Sequence, residues 1–255
     1  MDGSVCLFGR GPQMHTMRED VELAASSDAN VLITGERGVG KRLIGDLIHR
    51  RSQRNHLPVV LIRCSQPECT VQMDLITAFD RRAGTIVLDD VDELTPAMQR
   101  LLLQLLDVQF AGTSCTEPEP RRHVRVIAAA APRLYELVHA AAFHEDVFYR
   151  LNIVHVSIPP LRERRGDIPG LVLRLLRSPA LEGCVVTPDA MVRLVAHGWP
   201  GNVRELEGVL EDVARHRAVI RSQDLPQHVP AAHMDASVGF HAARPNVPRE
   251  IARVH

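Results

Sequence analysis

Residues 31–42 read VLITGERGVGKR, in which four apolar or β-branched residues lead into a glycine-rich segment that ends near Lys41. Glycines let the chain adopt turn angles that point consecutive backbone N–H groups inward, and the positive end of a following helix attracts anions. A lysine at the end of such a loop supplies a mobile cation for terminal phosphates. The stretch therefore predicts a strand, a phosphate-binding loop and a helix.

An ordinary glycine turn before a helix has the same short pattern. The flanking residues favour the phosphate-binding interpretation, because Val31–Thr34 has the composition of a buried strand. One position departs from the usual motif, since Arg42 stands where a serine or threonine usually contacts Mg²⁺. Apolar residues follow the loop at helical spacing, namely Leu43, Ile44, Leu47 and Ile48.

A second apolar strand ends in two carboxylates. Residues 84–90 read GTIVLDD, with Asp89 and Asp90 at the carboxyl end. In phosphoryl-transfer sites an acidic residue at this place holds Mg²⁺, and a neighbouring one polarises the attacking water. As an alternative, paired aspartates cap the helix that Thr95-Pro96 predicts. We interpret Asp89 as the metal-binding residue and Asp90 as the candidate base.

Several blocks of the chain together resemble the AAA+ domain of sigma-54-dependent bacterial enhancer-binding regulators. VLITGERGVGKRLIGDLIH is similar to the family's P-loop segment, and GTIVLDDVDEL is similar to its Walker B strand. FHEDVFYRLNIVHVSIPPLRERRGDIPGL is similar to the stretch that joins core to lid, and WPGNVRELEGVLE to a lid motif. The resemblance covers residues 5–230 and implies an α/β P-loop core with a central, mostly parallel sheet, plus a smaller all-helical lid.

The chain divides near Pro159-Pro160, where the strand-like segment Ile153–Ile158 gives way to a helical composition. We predict a nucleotide-binding core over residues 1–160, a helical lid over 161–230 and a loose tail over 231–255. The lid is expected to contain three helices, one around residues 168–176, one that starts at Thr187-Pro188 and one over residues 202–215.

The resemblance also implies roles for single residues. Arg204 matches the sensor II arginine, which reaches from the lid to the γ-phosphate; a surface arginine paired with Glu205 or Glu207 is the alternative. Arg150 matches one of two arginine fingers that enter a neighbouring subunit's site. The implied ligands are ATP or ADP and Mg²⁺, with Asp90 and Arg150 catalytic and Asp89 on the metal. The implied nucleotide-binding residues are Gly35, Glu36, Arg37, Gly38, Val39, Gly40, Lys41, Arg42, Asp89, Asp90 and Arg204.

Several working positions depart from the family's pattern. His144 replaces the second finger arginine and is mostly neutral at physiological pH, and Asp90 replaces a glutamate that is one methylene longer. Ala131 falls on the sensor I asparagine, whose hydrogen bonds a methyl group cannot make. Arg63 replaces the asparagine that restrains the catalytic glutamate. These changes predict slow hydrolysis and an altered link between hydrolysis and partner binding.

The largest departure is a short segment between Cys64 and Gly84, which has about half the length of the family's pattern and contains no GAFTGA sequence. Because that loop is the family's contact with sigma-54, direct sigma-54 contact is not expected. Met1 lies almost at the start of the AAA+ core, so no fused receiver domain is expected. The residues after Val229 are few for a helix-turn-helix domain.

The composition indicates a globular protein of the cytoplasm. The 255 residues are 45% hydrophobic and 24% charged, which is enough for a sizeable core. The net charge of −1 provides no overall attraction to nucleic acid or to an anionic membrane. Five cysteines without zinc-like spacing indicate free thiols. No segment has the length of a membrane span or the pattern of a signal peptide.

Two functions remain open at this point. In the first, the chain is an AAA+ ATPase that forms a ring with its own copies, and Arg150 acts on the neighbour's nucleotide. In the second, it is a nucleotide-binding module that turns ATP over slowly or not at all. It then acts by binding a transcription regulator or the transcription machinery, or by co-assembling with related AAA+ proteins. A DNA-binding regulator is a third, less favoured interpretation, because no DNA-binding element is recognisable.

Overall fold

A single five-stranded parallel sheet forms the centre of the larger part of the molecule, with strand order β2-β3-β4-β1-β5. The computed structural model describes residues 12–80, 84–111, 124–227 and 229. Because all strands run the same way, their carboxyl ends meet at one edge, where α/β proteins bind ligands. The strands are β1 Val31–Thr34, β2 Val59–Arg63, β3 Thr85–Asp89, β4 Arg125–Ala130 and β5 Val154–Ser157.

Helices cover both faces of this sheet, as the right-handed crossovers between parallel strands require. The two faces can be read from alternate residues of β1: Leu32 points into one hydrophobic cluster, and Val31 and Ile33 point into the other. On the Ile33 side lie α1 Pro12–Ser26 and α2 Lys41–Arg51. On the Leu32 side lie α3 Glu68–Asp80, α4 Pro96–Ala111, α5 Leu134–His139 and α6 Glu145–Leu151.

The predicted parallel sheet is confirmed, and so is the strand-to-helix order around the glycine loop. β1 ends where the loop begins, and α2 starts at Lys41. The central strand is buried throughout, which matches its continuous apolar run. The short segment between Cys64 and Gly84 contains α3, and residues 81–83 within it lie outside the described part of the chain.

The lid has its own hydrophobic cluster around Trp199, and its helices are α7 Ile168–Leu175, α8 Pro188–Ala196 and α9 Asn202–Ala214. The helical lid is thus confirmed. The structure adds a parallel pair of two-residue strands, β6 Val185–Val186 and β7 Val219–Ile220, which the sequence did not predict. The boundary at residue 160 stays a prediction, and the predicted tail, 231–255, lies outside the described residues.

No helix in the described part of the chain combines the length and apolar character needed to cross a bilayer.

We expect Leu194→Ala to destabilise the lid, because Leu194 is fully buried in the lid cluster. The variant should lose about 2–5 kcal/mol of unfolding free energy. Trp199 reports the transition, since it is the only tryptophan, is fully buried and donates its indole N–H to the Leu194 carbonyl at 2.8 Å. Urea titration followed by its fluorescence measures the change. Val192→Ala, on the same helix but 48% exposed, is the matched control. Equal losses in both variants would contradict this packing.

Candidate functional site

The glycine loop curls between β1 and α2 at the carboxyl edge of the sheet. Gly38 has φ 80° and Gly40 has φ 101°, in the left-handed region that side chains disfavour. These two glycines turn the backbone so that the chain closes around the end of the Lys41 side chain. These two left-handed backbone angles explain why the loop has glycine at positions 38 and 40.

Lys41 is the only lysine among the thirty lysine and arginine residues of the chain. It is 8% exposed, and its ammonium donates to the Gly35 carbonyl at 2.9 Å and the Glu36 carbonyl at 3.2 Å. Burial lowers the pKa of this ammonium, while the nearby Asp90 and Asp89 carboxylates oppose the shift. The two carboxylates are therefore close enough to the ammonium to interact with it.

Asp89 and Asp90 lie at the end of β3, separated from β1 by one strand. Asp90 has a left-handed backbone with φ 56°. Burial raises the pKa of the Asp90 carboxyl, and the Asp89 charge adds to the shift. A cation bound near two crowded, half-buried carboxylates reduces the repulsion between their charges. The described residues contain no cluster of three or more protein ligands for a metal, but Mg²⁺ in phosphoryl-transfer sites usually takes one or two carboxylates plus the substrate phosphates.

The start of α9 packs directly on the glycine loop. A Cβ atom on Gly38 would lie 2.2 Å from the Gly201 carbonyl oxygen, so no side chain fits at this contact. The backbone N–H of Arg204 donates to the Gly38 carbonyl at 3.3 Å. The Arg204 side chain is exposed. The structure therefore brings the predicted sensor II residue to the loop through its backbone.

Three side chains form a latch between loop and lid, which we call the Glu36 latch: Glu36, Arg162 and Asn202. The Arg162 guanidinium donates to both Glu36 oxygens, at 2.9 and 2.7 Å. Asn202 is fully buried and donates to Glu36 at 3.1 Å and to the Arg37 carbonyl at 3.0 Å. The hydrogen bonds from Arg162 and Asn202 lower the pKa of the Glu36 carboxyl, which keeps it charged.

Arg162 and Asn202 were not among the site residues predicted from the sequence. Both stand inside blocks that resembled the family, one in the LRERR run after Pro159-Pro160 and one directly after Gly201. The signal that could have identified them is their place in the sequence blocks where the predicted core and lid meet. A third residue of this joint, Arg164, is 8% exposed and donates to the Val39 carbonyl at 3.1 Å.

A cleft of about 440 Å³ lies between the end of the loop and the lid. Its size and mostly apolar lining are typical of a site that holds a planar organic group such as a base. The apolar lining comes from both parts of the chain: Val39, Leu43 and Ile44 from the core, and Leu171, Leu175 and Val203 from the lid.

The remaining predicted residues are not among the hydrogen-bond partners of the Lys41 ammonium in the described part of the chain. Arg37 is exposed, with its guanidinium 3.9 Å from Glu93, and Arg42 is exposed in the first turn of α2. Arg150 is in the last turn of α6, where its guanidinium binds Asp107 at 2.5 Å. His144 precedes this helix, and its backbone N–H donates to the Gln99 side chain at 2.8 Å.

Comparison with known proteins shows the same two-part organisation. Residues 8–161 match the sigma-54 interaction domain, and residues 162–239 match the AAA+ ATPase lid domain. The transcriptional regulatory protein ZraR of Klebsiella oxytoca is 36% identical over 231 residues, which are 80% of this chain and 51% of ZraR. The anaerobic nitric oxide reductase transcription regulator NorR of Citrobacter koseri is 37% identical over 242 residues, 84% of this chain and 46% of NorR.

Among solved structures, NtrX from Brucella abortus in complex with ADP superposes with a TM-score of 0.75 at 28% identity. The match covers 88% of this chain and 56% of that one. The chain thus spans about half the length of the curated relatives it matches. The family predicted from the sequence blocks is confirmed: the chain belongs to the sigma-54 interaction domains of the AAA+ proteins.

Proposed function

We propose that this chain binds ATP and ADP, with Mg²⁺, between its glycine loop and its lid, as the nucleotide-controlled module of a cytoplasmic transcription regulator. The observation that carries the proposal is the buried Lys41 ammonium, held inside a loop with two left-handed glycines and close to Asp89 and Asp90. The relative NtrX, which has been crystallised with ADP and with ATP, supports the same ligand class.

In this proposal the loop backbone from Gly35 to Arg42 and the Lys41 ammonium bind the phosphates, and the base enters the cleft beside Val39. Asp89 holds Mg²⁺, which neutralises charge on the phosphates, and Asp90 orients the water. Arg204 responds to the terminal phosphate from the lid. The proposed roles of Lys41, Asp89 and Asp90 all fall near the carboxyl edge of the sheet.

Hydrolysis is proposed to be slow in the isolated chain. Ala131 has no side chain that could bind the attacking water, and Asp90 is one methylene shorter than the family's residue. The Arg150 guanidinium binds Asp107 of its own subunit, so it must leave this partner before it can act on a neighbour. We propose that Arg150 completes the site only in an assembly, with copies of this chain or with related AAA+ proteins.

The second candidate function is a module that binds nucleotide without turnover and acts by binding another regulator. The Arg150–Asp107 pair favours it, because a finger bound within its own subunit is not available in trans. In either case we do not propose sigma-54 contact through a GAFTGA loop, since the chain has no such sequence and the segment after Cys64 contains α3.

We expect Lys41→Ala to reduce ATP affinity at least about tenfold, because a charge-assisted bond to phosphate is lost. Calorimetric titration measures the affinity, and Arg50→Ala, on an exposed position of the same helix, is the control. Mg-ATP should also protect Lys41 from an amine-reactive reagent, and mass mapping of the labelled peptides distinguishes this single lysine from the reactive α-amino group. Unchanged ATP affinity in Lys41→Ala together with unprotected labelling would refute nucleotide binding at this loop.

Turnover distinguishes the two candidate functions. If Arg150 acts between subunits, the ATPase rate per subunit should rise with protein concentration in the wild type and fall about 10³-fold or more in Arg150→Ala. Asp107→Ala removes the Arg150–Asp107 ion pair and should raise the rate at a given concentration. ATP binding without measurable turnover in all three proteins would establish the binding module instead.

The Glu36 latch predicts a coupling between lid position and nucleotide affinity. Arg162→Gln removes a bidentate but half-exposed ion pair, so we expect ADP affinity to change by about two- to fivefold. High salt should reduce the difference between variant and wild type, since exposed charges are screened. Arg165→Gln, an exposed arginine in the same segment, is the matched control and should leave ADP affinity unchanged. Identical behaviour of the two variants would show that the latch does not act on the nucleotide.

A further inference from the structure

A buried carboxylate connects the turn after β3 to the turn after β4. The Asp92 side chain is 2% exposed and both of its oxygens accept hydrogen bonds. One oxygen accepts from the backbone N–H of Ala131 at 3.0 Å, and the other accepts from Nε of Arg133 at 2.7 Å. Asp92 therefore joins two loops that follow neighbouring strands of the sheet.

Arg133 extends this connection to a second carboxylate and toward the glycine loop. Its terminal nitrogen donates to Glu93 at 2.5 Å, and the same Glu93 oxygen lies 3.9 Å from the Arg37 guanidinium. The three loops that surround the candidate phosphate site are thus linked in one chain of charged groups. We call the set Asp92, Glu93 and Arg133 the Arg133 network.

The Arg133 network differs from an ordinary surface ion pair in its burial. The Asp92 carboxylate is almost fully removed from water, and such a charge is tolerated only when its oxygens are bound. Arg133 itself is half exposed, so it can bind the buried group while its other side faces solvent. The Asp92 charge also opposes the lowering of the Lys41 pKa by burial, so Asp92 lies close enough to the candidate site to interact with Lys41.

Position 131 is where the family carries an asparagine side chain, and this chain has a methyl group there. The Ala131 backbone nevertheless has a fixed partner, because its N–H is bound to Asp92. The loop after β4 is therefore bound to Asp92 at two points, the backbone N–H of Ala131 and the side chain of Arg133. This arrangement needs no side chain at position 131.

We propose that Arg133 is a positioning residue for the Mg-ATP site: by binding Asp92 it holds the segment that carries Asp89 and Asp90 in place against the loop after β4. The inference rests on the proposed function, since it assumes that Asp89 binds Mg²⁺ together with the nucleotide. Arg133 acts through Asp92 and does not itself bind the reacting groups.

The test compares Arg133→Gln with Arg133→Lys in the full chain. ATP affinity is measured with and without Mg²⁺, ADP affinity is measured without Mg²⁺, and thermal unfolding is recorded on the same samples. We expect Arg133→Gln to reduce the Mg²⁺-dependent gain in ATP affinity about tenfold, the lower end of the effect that loss of a residue supporting a metal site has. The gain falls because the segment that carries Asp89 is then held less firmly. Metal-free ADP affinity should stay within about twofold of the wild type, because the glycine loop is not altered.

Arg133→Lys should restore part of the Mg²⁺-dependent gain, since an ammonium can bind Asp92 but not Asp92 and Glu93 in the same planar way. Arg100→Gln, an exposed arginine on α4, is the matched control. If Arg133→Gln unfolds, the double variant Asp92→Ala/Arg133→Ala replaces it, because it leaves no buried charge unpaired. The double variant should show the same selective loss.

Two results would overturn the inference while leaving the proposed function intact. One is an unchanged Mg²⁺-dependent gain in Arg133→Gln. The other is an equal loss of metal-free ADP and Mg-ATP affinity, which would indicate a general loss of structure. Failure of the proposed function has a different signature, because the wild-type chain itself would then bind ATP no better than Lys41→Ala does.

Discussion

The site depends on one constraint, which is that a charged ammonium group has to be kept at the end of a buried strand. Lys41 meets it with two backbone carbonyls of its own loop, and these are in reach only because Gly38 and Gly40 turn the chain through left-handed angles. The central position of β1 places the loop between the acidic end of β3 and the start of the lid. Loop conformation and the placement of charge around Lys41 therefore serve the same requirement.

Gly38 also shows why core and lid form one site. The missing side chain there lets the start of α9 approach so closely that the Gly201 oxygen lies 2.2 Å from the place a Cβ atom would take. The Glu36 latch then adds charged and polar bonds beside this contact. The loop thus has two sets of neighbours, the carboxylates of the core and the polar groups of the lid. A ligand that changes the conformation of the loop therefore affects its contacts with the core carboxylates and its contacts with the polar groups of the lid.

The elements that carry the motifs could be predicted from the sequence, because their signals are local. A buried run before the glycines predicted β1, and an apolar run before two aspartates predicted β3. The contacts that complete the site could not be predicted in this way, since Asn202 and Glu36 are 166 positions apart and Arg133 and Asp92 are 41 apart. The β6–β7 pair was missed for another reason: two residues are too few to show a period of two.

Most of the residues that depart from the family's pattern have proposed roles in turnover, whereas the lysine proposed to bind nucleotide is present. In the proposed function, Asp90, Ala131 and His144 stand at positions that would serve hydrolysis, by binding water or by stabilising transition-state charge in a neighbouring subunit. Lys41 concerns binding, and it remains a lysine in a chain that otherwise uses only arginine as its strong cation. An ammonium can give two of its three N–H groups to the loop and keep one for a phosphate, whereas a guanidinium holds its donors fixed in one plane. The proposed binding of nucleotide therefore rests on a residue that follows the family's pattern, whereas turnover would rest on residues that depart from it.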